Sequence, residues 1–331
     1  MLHLAQAWNV LSAIGGTPWY GRPNLPQPSS YYPLDLPLET RPFSLATVER
    51  FIEFERPTPP GEPPPPVVGD DARNYRSVGQ LYRLIRMGIE ALPERELFIG
   101  DPRNQVGPEL MDFPDLVPVY NRASAVKGID TIIEQGEGSS PEAKDSHYQI
   151  FRRVRISLLE ETLAGEAVGR PFQPARPCIW NPIAYPRADR ASPGSTPILD
   201  PRTAAAADLF DSVYVFMLRL LQYVFDPATN DAKLLRTFSV AALQLMTTVI
   251  KPFGEALAMM PAGEEAYGEA TAGAPFSVGR HVALPVDPPA AHRVASEKLV
   301  QLTGRLRRLV GGGAVPPQLS SAAQRLSEIQ I

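Results

Sequence analysis

Apolar residues recur at helical spacing in blocks, and proline-rich stretches separate the blocks. In residues 1 to 14, Ala5, Trp8, Val10, Leu11 and Ile14 stand among few polar groups, and Gly15 and Gly16 supply a left-handed stop. Ser44 predicts the cap of a helix through Glu55 that carries Leu45, Val48, Phe51, Ile52 and Phe54, with Pro57 ending it. Ser77 followed by Gln80 reads as a capping box for a helix bearing Val78, Leu81, Leu84, Ile85 and Ile89.

Val126, Ile129, Ile132 and Ile133 define a helix from about 124 to 135 with Gly136 as its C-cap, and residues 142 to 164 predict a longer one. Thr203 is read as the cap of a helix through Leu209, Phe210, Val213, Phe216, Met217, Leu220, Leu221 and Val224, stopped at Asp226 and Pro227. A partner helix from about 230 to 250 follows, a short one starts near Pro252, and 295 to 309 form a basic amphipathic helix. Helices alternating with loops predict an all-α chain. The expected organisation is one domain over 1–310 and a flexible tail from 311 to 331, begun by the glycine run Gly311 to Gly313.

The 37 prolines in 331 residues are about twice the usual ~5%. They fall between the helices, so the loops are long and stiff, and the run around Pro63 to Pro66 reads as a polyproline-like linker. A net charge of −4 leaves no basic surplus for a phosphate backbone, so nucleic acid is not an expected partner. The most apolar stretch, 237 to 250, is interrupted by Ser239, Gln244, Thr247 and Thr248 and falls short of the ~20 residues a bilayer demands. It reads as a core helix, and no membrane partner is expected. A single cysteine, Cys178, and a start without signal-peptide features place the chain in the cytoplasm by expectation.

Candidate chemistry is sparse. Of four histidines, His3 shares a helical stripe with Ala7, Val10 and Ile14, and His147 shares one with Phe151, Val154 and Leu158. Both imidazoles are expected to point at a core. A lone histidine on such a face is ordinarily a hydrogen-bonded core residue; two of them, with Glu134 and Glu137 shortly before His147, form the imidazole and carboxylate set of a metal site between helices. The plain alternative for Glu134 to Gly138 is a solvated helix end with a glycine cap. Cys178 has no histidine nearby in sequence, and no phosphate loop, Ser-His-Asp context or Cys-x-x-Cys pair occurs.

Several stretches together resemble a known family. They are Met1-Leu2-His3-Leu4 with Asn9 to Gly16, Tyr32-Pro33, Leu36-Pro37, Pro42 to Leu45, Phe51 to Glu55 with Pro57, and Gly100-Asp101-Pro102 with Gln105-Val106. The sharpest is Ile133-Glu134-Gln135-Gly136-Glu137-Gly138, followed by His147-Tyr148 and Phe151. This set is similar to the ferritin-like family that includes the amino-terminal region of iminophenyl-pyruvate dimer synthase of violacein biosynthesis. The likeness covers roughly residues 1 to 155 and weakens beyond.

The resemblance implies a ferritin-like helical bundle with non-haem iron, one or two ions, held by His3, Glu134, Glu137 and His147. It implies an oxidase or oxidative-coupling enzyme acting on a small molecule, with association of copies left open. In such bundles two helices each give a glutamate and two others each give a Glu-x-x-His pair. Here the glutamate paired with His3 would precede Met1, so the bundle is expected to lack its first helix, through a start assigned too late or through truncation. Three positions before His147 stands Lys144, so Asp145 or Glu142 would have to substitute. A metal-free helical scaffold or binding module of the same fold is the alternative reading, and the long loops argue against iron storage in a shell.

Overall fold

The computed structural model describes residues 2–27, 37–57, 75, 77–135, 146–186, 192–279 and 282–331. Its regular structure is almost all helix. In order the helices are α1 (Leu2–Ala13), α2 (Leu45–Phe54), α3 (Val78–Ala91), the short α4 (Glu94–Leu97), α5 (Arg122–Gln135), α6 (His147–Ala167), α7 (Pro201–Phe225), α8 (Ala232–Gln244), α9 (Lys251–Leu257), the short α10 (Glu264–Tyr267), α11 (Pro288–Gly311) and α12 (Pro317–Glu328). The strands among the described residues are β1 (Pro182–Ile183) and β2 (Thr196–Pro197), which pair in parallel with Pro182 opposite Thr196.

The helix starts follow local chemistry. Ser44, Ser77 and Ser146 each accept a hydrogen bond from the backbone three residues on, capping α2, α3 and α6. The cap of α7 is Asp200, whose carboxylate accepts from the Thr203 amide at 2.7 Å; Thr203 itself lies inside the helix, because Pro201 is at its first position, where a missing N–H costs nothing. The expected break near Pro252 is absent. α8 runs into α9 through a π-helical segment, Leu245–Ile250, so one rod extends from Ala232 to Leu257. Pro252 has no N–H for the ladder, and the widened turn before it accommodates that loss. This rod is long and apolar enough to cross a membrane by length and composition, yet Phe238, Ala241, Leu245, Val249 and Phe253 are buried inside the protein.

The carboxy-terminal helices differ from expectation too. Residues 317 to 328 do not form a flexible tail: α12 packs against α9, the π segment and α11, burying Leu319, Ala322 and Leu326 completely. Those residues recur at steps of three and four, a stripe thin enough to be masked by the serines and glutamines around it. Together α7, the α8–α9 rod, α11 and α12 enclose the main core, around Phe210, Phe216, Leu220, Phe238 and Phe253.

α1 ties the amino-terminal helices to that core. On one face Trp8 meets Tyr20 and Phe225 edge-on, at ring separations of 4.1 and 4.6 Å. On the other, α1 packs on α5, with Val10, Ala13, Ala125 and Ile129 in a second apolar cluster. Between them lie buried amides. Asn9 donates to the Val106 carbonyl at 2.7 Å and accepts from the Val106 amide at 2.9 Å, while Gln6 does the same for Val117 at 3.0 and 2.8 Å. Gln105 in turn accepts from the Val119 amide at 2.8 Å. These side chains satisfy an irregular segment that has no strand to pair with.

Candidate functional site

α2 and α6 pack antiparallel, and side-chain pairs fix their register. Phe51 stacks on Phe151 with ring centres 5.0 Å apart, and Arg155 binds Glu49 at 3.1 Å. One step further, the end of α2 meets the start of α6. There Glu55, the C-cap of α2, brings Oε2 to 3.5 Å from Nδ1 of His147, the first residue of α6. The His3 ring, in the first turn of α1, lies 5.9 Å from the His147 ring, centre to centre, tilted by 41°. Three helices therefore deliver two imidazoles and a carboxylate to one place.

The pair lies at an edge of the helical assembly, not in its interior. The His147 side chain is 39% exposed and Glu55 18%, while His3 is half-buried. The expectation that both rings point into a core thus holds only in part: they point at each other. Electrostatics favour the carboxylate where it is. A negative group at the end of its own helix is opposed by that helix's dipole, but the Glu55 carboxylate also faces the positive amino terminus of α6.

The predicted glutamates fare differently. Glu134 is exposed at the end of α5 and lines a groove of about 330 Å³ with Pro114 to Pro118, Lys127, Thr131 and Gln135. Ile132 is completely buried, and two residues on the helix has turned by about 200°, so Glu134 faces the opposite side of α5, toward solvent. Glu137 lies outside the described residues, as do Gly136, Glu142, Lys144 and Asp145. Glu55 was not singled out by its motif. Its signal was local: a carboxylate at the last position of a helix, where the dipole disfavours it, wants a partner elsewhere.

Imidazole and carboxylate are donors that iron accepts, so the residues present suit such an ion in kind. In number they fall short, since no three of the described histidine, cysteine, aspartate and glutamate side chains close into a metal-holding group. Cys178 stands apart, its sulfur 3.0 Å from the Thr271 hydroxyl.

The all-α fold is the one expected of a ferritin-like protein. Residues 1–156 match the family model described as Ferritin-like. Two relatives extend the likeness over 80% of the chain: dichlorochromopyrrolate synthase of Lentzea aerocolonigenes, 30% identical over 291 residues, and 2-imino-3-(indol-3-yl)propanoate dimerase of Chromobacterium violaceum, 27% identical over 282 residues. The chain covers 27% and 25% of those two proteins, so it spans about a quarter of the length of the relatives it matches. No solved structure is significantly similar to the chain.

Proposed function

We propose that this chain provides the iron-holding part of an oxidative-coupling enzyme that joins two molecules of an aromatic imino acid. The observation that carries the reading is the convergence of His3 and His147 from two helices, with Glu55 beside the second ring. The substrate class comes from the relatives, one of which is named for dimerising an indolyl imino acid. Oxidative joining of two such molecules releases two electrons and two protons, and bound iron would supply the route by which oxygen or peroxide takes them.

The chain's own groups have separate roles. His3 and His147 offer ring nitrogens as ligands, and the Glu55 carboxylate lies beside the Nδ1 side of the His147 ring. Of the carboxylates that the resemblance implies, Glu134 faces outward and Glu137 lies outside the described residues, so Glu55 is the carboxylate that the described residues offer.

Iron measured after anaerobic loading with ferrous ion tests this. About one iron per chain or more is expected, reduced by His3→Ala and by His147→Ala with little change in melting temperature. The rival reading, a helical scaffold of the same fold, draws on the outward direction of Glu134. It wins if His147→Ala leaves iron content unchanged and lowers the melting temperature.

A further inference from the structure

The first turns of α8 and α11 form two sides of a groove of about 970 Å³, to which α1, α2 and α6 contribute nothing. That volume lies at the upper end of the range for small-molecule sites and far beyond what a simple anion fills. From α8 come Lys233, Arg236, Thr237 and Val240, which share one face because they recur at steps of three, one and three. From α11 come Pro288, Pro289, His292 and Arg293, while Gln330 and Ile331 close one end.

The charge in the groove is one-sided. Among the described residues none of Lys233, Arg236, His292 and Arg293 has an ion pair or a side-chain hydrogen bond. The one side-chain carboxylate beside them, Asp231, is occupied as the cap of α8, its Oδ1 accepting from the Leu234 amide at 2.9 Å. Like charges gathered round a hollow repel one another, and apolar walls concentrate their field inside it. A bound anion relieves this. Both sides also bring apolar surface, Leu234 and Val240 from α8, Pro288 and Pro289 from α11.

We propose that the groove binds an aromatic dicarboxylate, with its rings against the apolar residues and one carboxylate on each basic side. Arg236 on one side and Arg293 on the other suit this, because a planar guanidinium engages a carboxylate through two parallel hydrogen bonds. An inorganic anion would leave the apolar surface and most of the volume unused, and a neutral ring would leave the cations unanswered. The site stands without the iron reading. One consequence rests on that reading: joining two aromatic imino acids keeps both carboxylates, so the joined molecule has the chemistry that this groove selects.

Isothermal titration of the full chain with a biphenyl dicarboxylate, one acid group on each ring, is the test. Saturable binding with a dissociation constant below about 1 mM is expected in physiological salt. Biphenyl monocarboxylate should bind about tenfold more weakly, and inorganic phosphate in equal amount should not displace the diacid. Arg236→Gln and Arg293→Gln each remove one fork, one from each side, and each should weaken binding about tenfold at an unchanged melting temperature, since both side chains are exposed. His147→Ala should leave the affinity as it was, whatever it does to iron. The proposal is overturned by the absence of saturable binding up to about 5 mM, by a monoacid that binds as tightly, or by displacement with phosphate. Binding that neither arginine substitution weakens, or that His147→Ala abolishes, overturns it as well.

Discussion

Oε2 of Glu55 and Nδ1 of His147 lie 3.5 Å apart where the end of α2 meets the start of α6. The contact reconciles two opposed fields, because the carboxylate is misplaced on its own helix and well placed on the neighbouring one. Glu55→Gln keeps the shape and removes the charge, so both dipole effects vanish together and the melting temperature should move little. Iron affinity should not be so tolerant. A carboxylate that orients an imidazole ligand is commonly worth 10- to 100-fold in metal affinity, roughly, and competition against a chelator would measure the loss. Unchanged affinity would remove Glu55 from the site.

Gly128 predicts an inversion of the usual helix rule. Replacing a mid-helix glycine with alanine ordinarily stabilises by up to about 1 kcal/mol. Here a Cβ on Gly128 would lie 2.2 Å from the Gln6 amide nitrogen, which donates to the Val117 carbonyl. Gly128→Ala should therefore destabilise, by about 1–3 kcal/mol for the buried groups left unsatisfied. Urea denaturation gives the sign, and faster hydrogen exchange at Val117 locates the cause.

Tyr20 packs against Trp8 with its hydroxyl buried and lacking a hydrogen-bond partner among the described residues. Burial pushes its phenol far above the ordinary value of 10.0. Above that pH the unfolded chain has released the proton and the folded chain has kept it, so stability falls as pH rises. Tyr20→Phe should flatten that alkaline slope and raise stability near neutrality by about 1 kcal/mol. Denaturation midpoints at about pH 8 and about pH 11 would show a smaller difference for the variant than for the parent chain.

Much of this architecture was legible because its signals are local. Ser44 and Ser77 announce helices by a hydrogen bond that spans three residues, and His3 and His147 reveal their stripe through neighbours on the same turn. What escaped depends on distance. Asp200 outcompetes Thr203 for the cap once Pro201 fixes the first turn, and α12 is recognisable only when α9 and α11 stand ready to receive Leu319 and Leu326. The candidate site divides the same way. The meeting of two imidazoles was foreseeable from their faces, whereas the outward turn of Glu134 follows from Ile132, which is buried on the opposite side of α5. Glu55 becomes visible only when a second helix arrives opposite it.

Glu39 offers a further prediction on what holds α2 in place. Its side chain is 8% exposed and contacts Arg41, with Arg50 of α2 at 3.6 Å. Arg41 also covers the Trp180 ring at 4.4 Å, and burial, followed by the nearby Arg41 charge, lowers the pKa of Arg50. Two guanidinium groups thus share one carboxylate in a largely enclosed place. Glu39→Ala leaves both charges without it and should cost about 3 kcal/mol, the usual size when one member of a buried pair is removed. Arg41→Ala should cost less, because Arg41 is the more exposed partner and Arg50 keeps its counter-charge. A double-mutant cycle between Glu39 and Arg50 isolates the coupling. The loss should also loosen α2, which carries Glu55, so iron binding in Glu39→Ala should weaken although no proposed ligand has been touched. A variant that loses stability and retains full iron affinity would show that the Glu55 end of α2 is held independently of its Arg50 side.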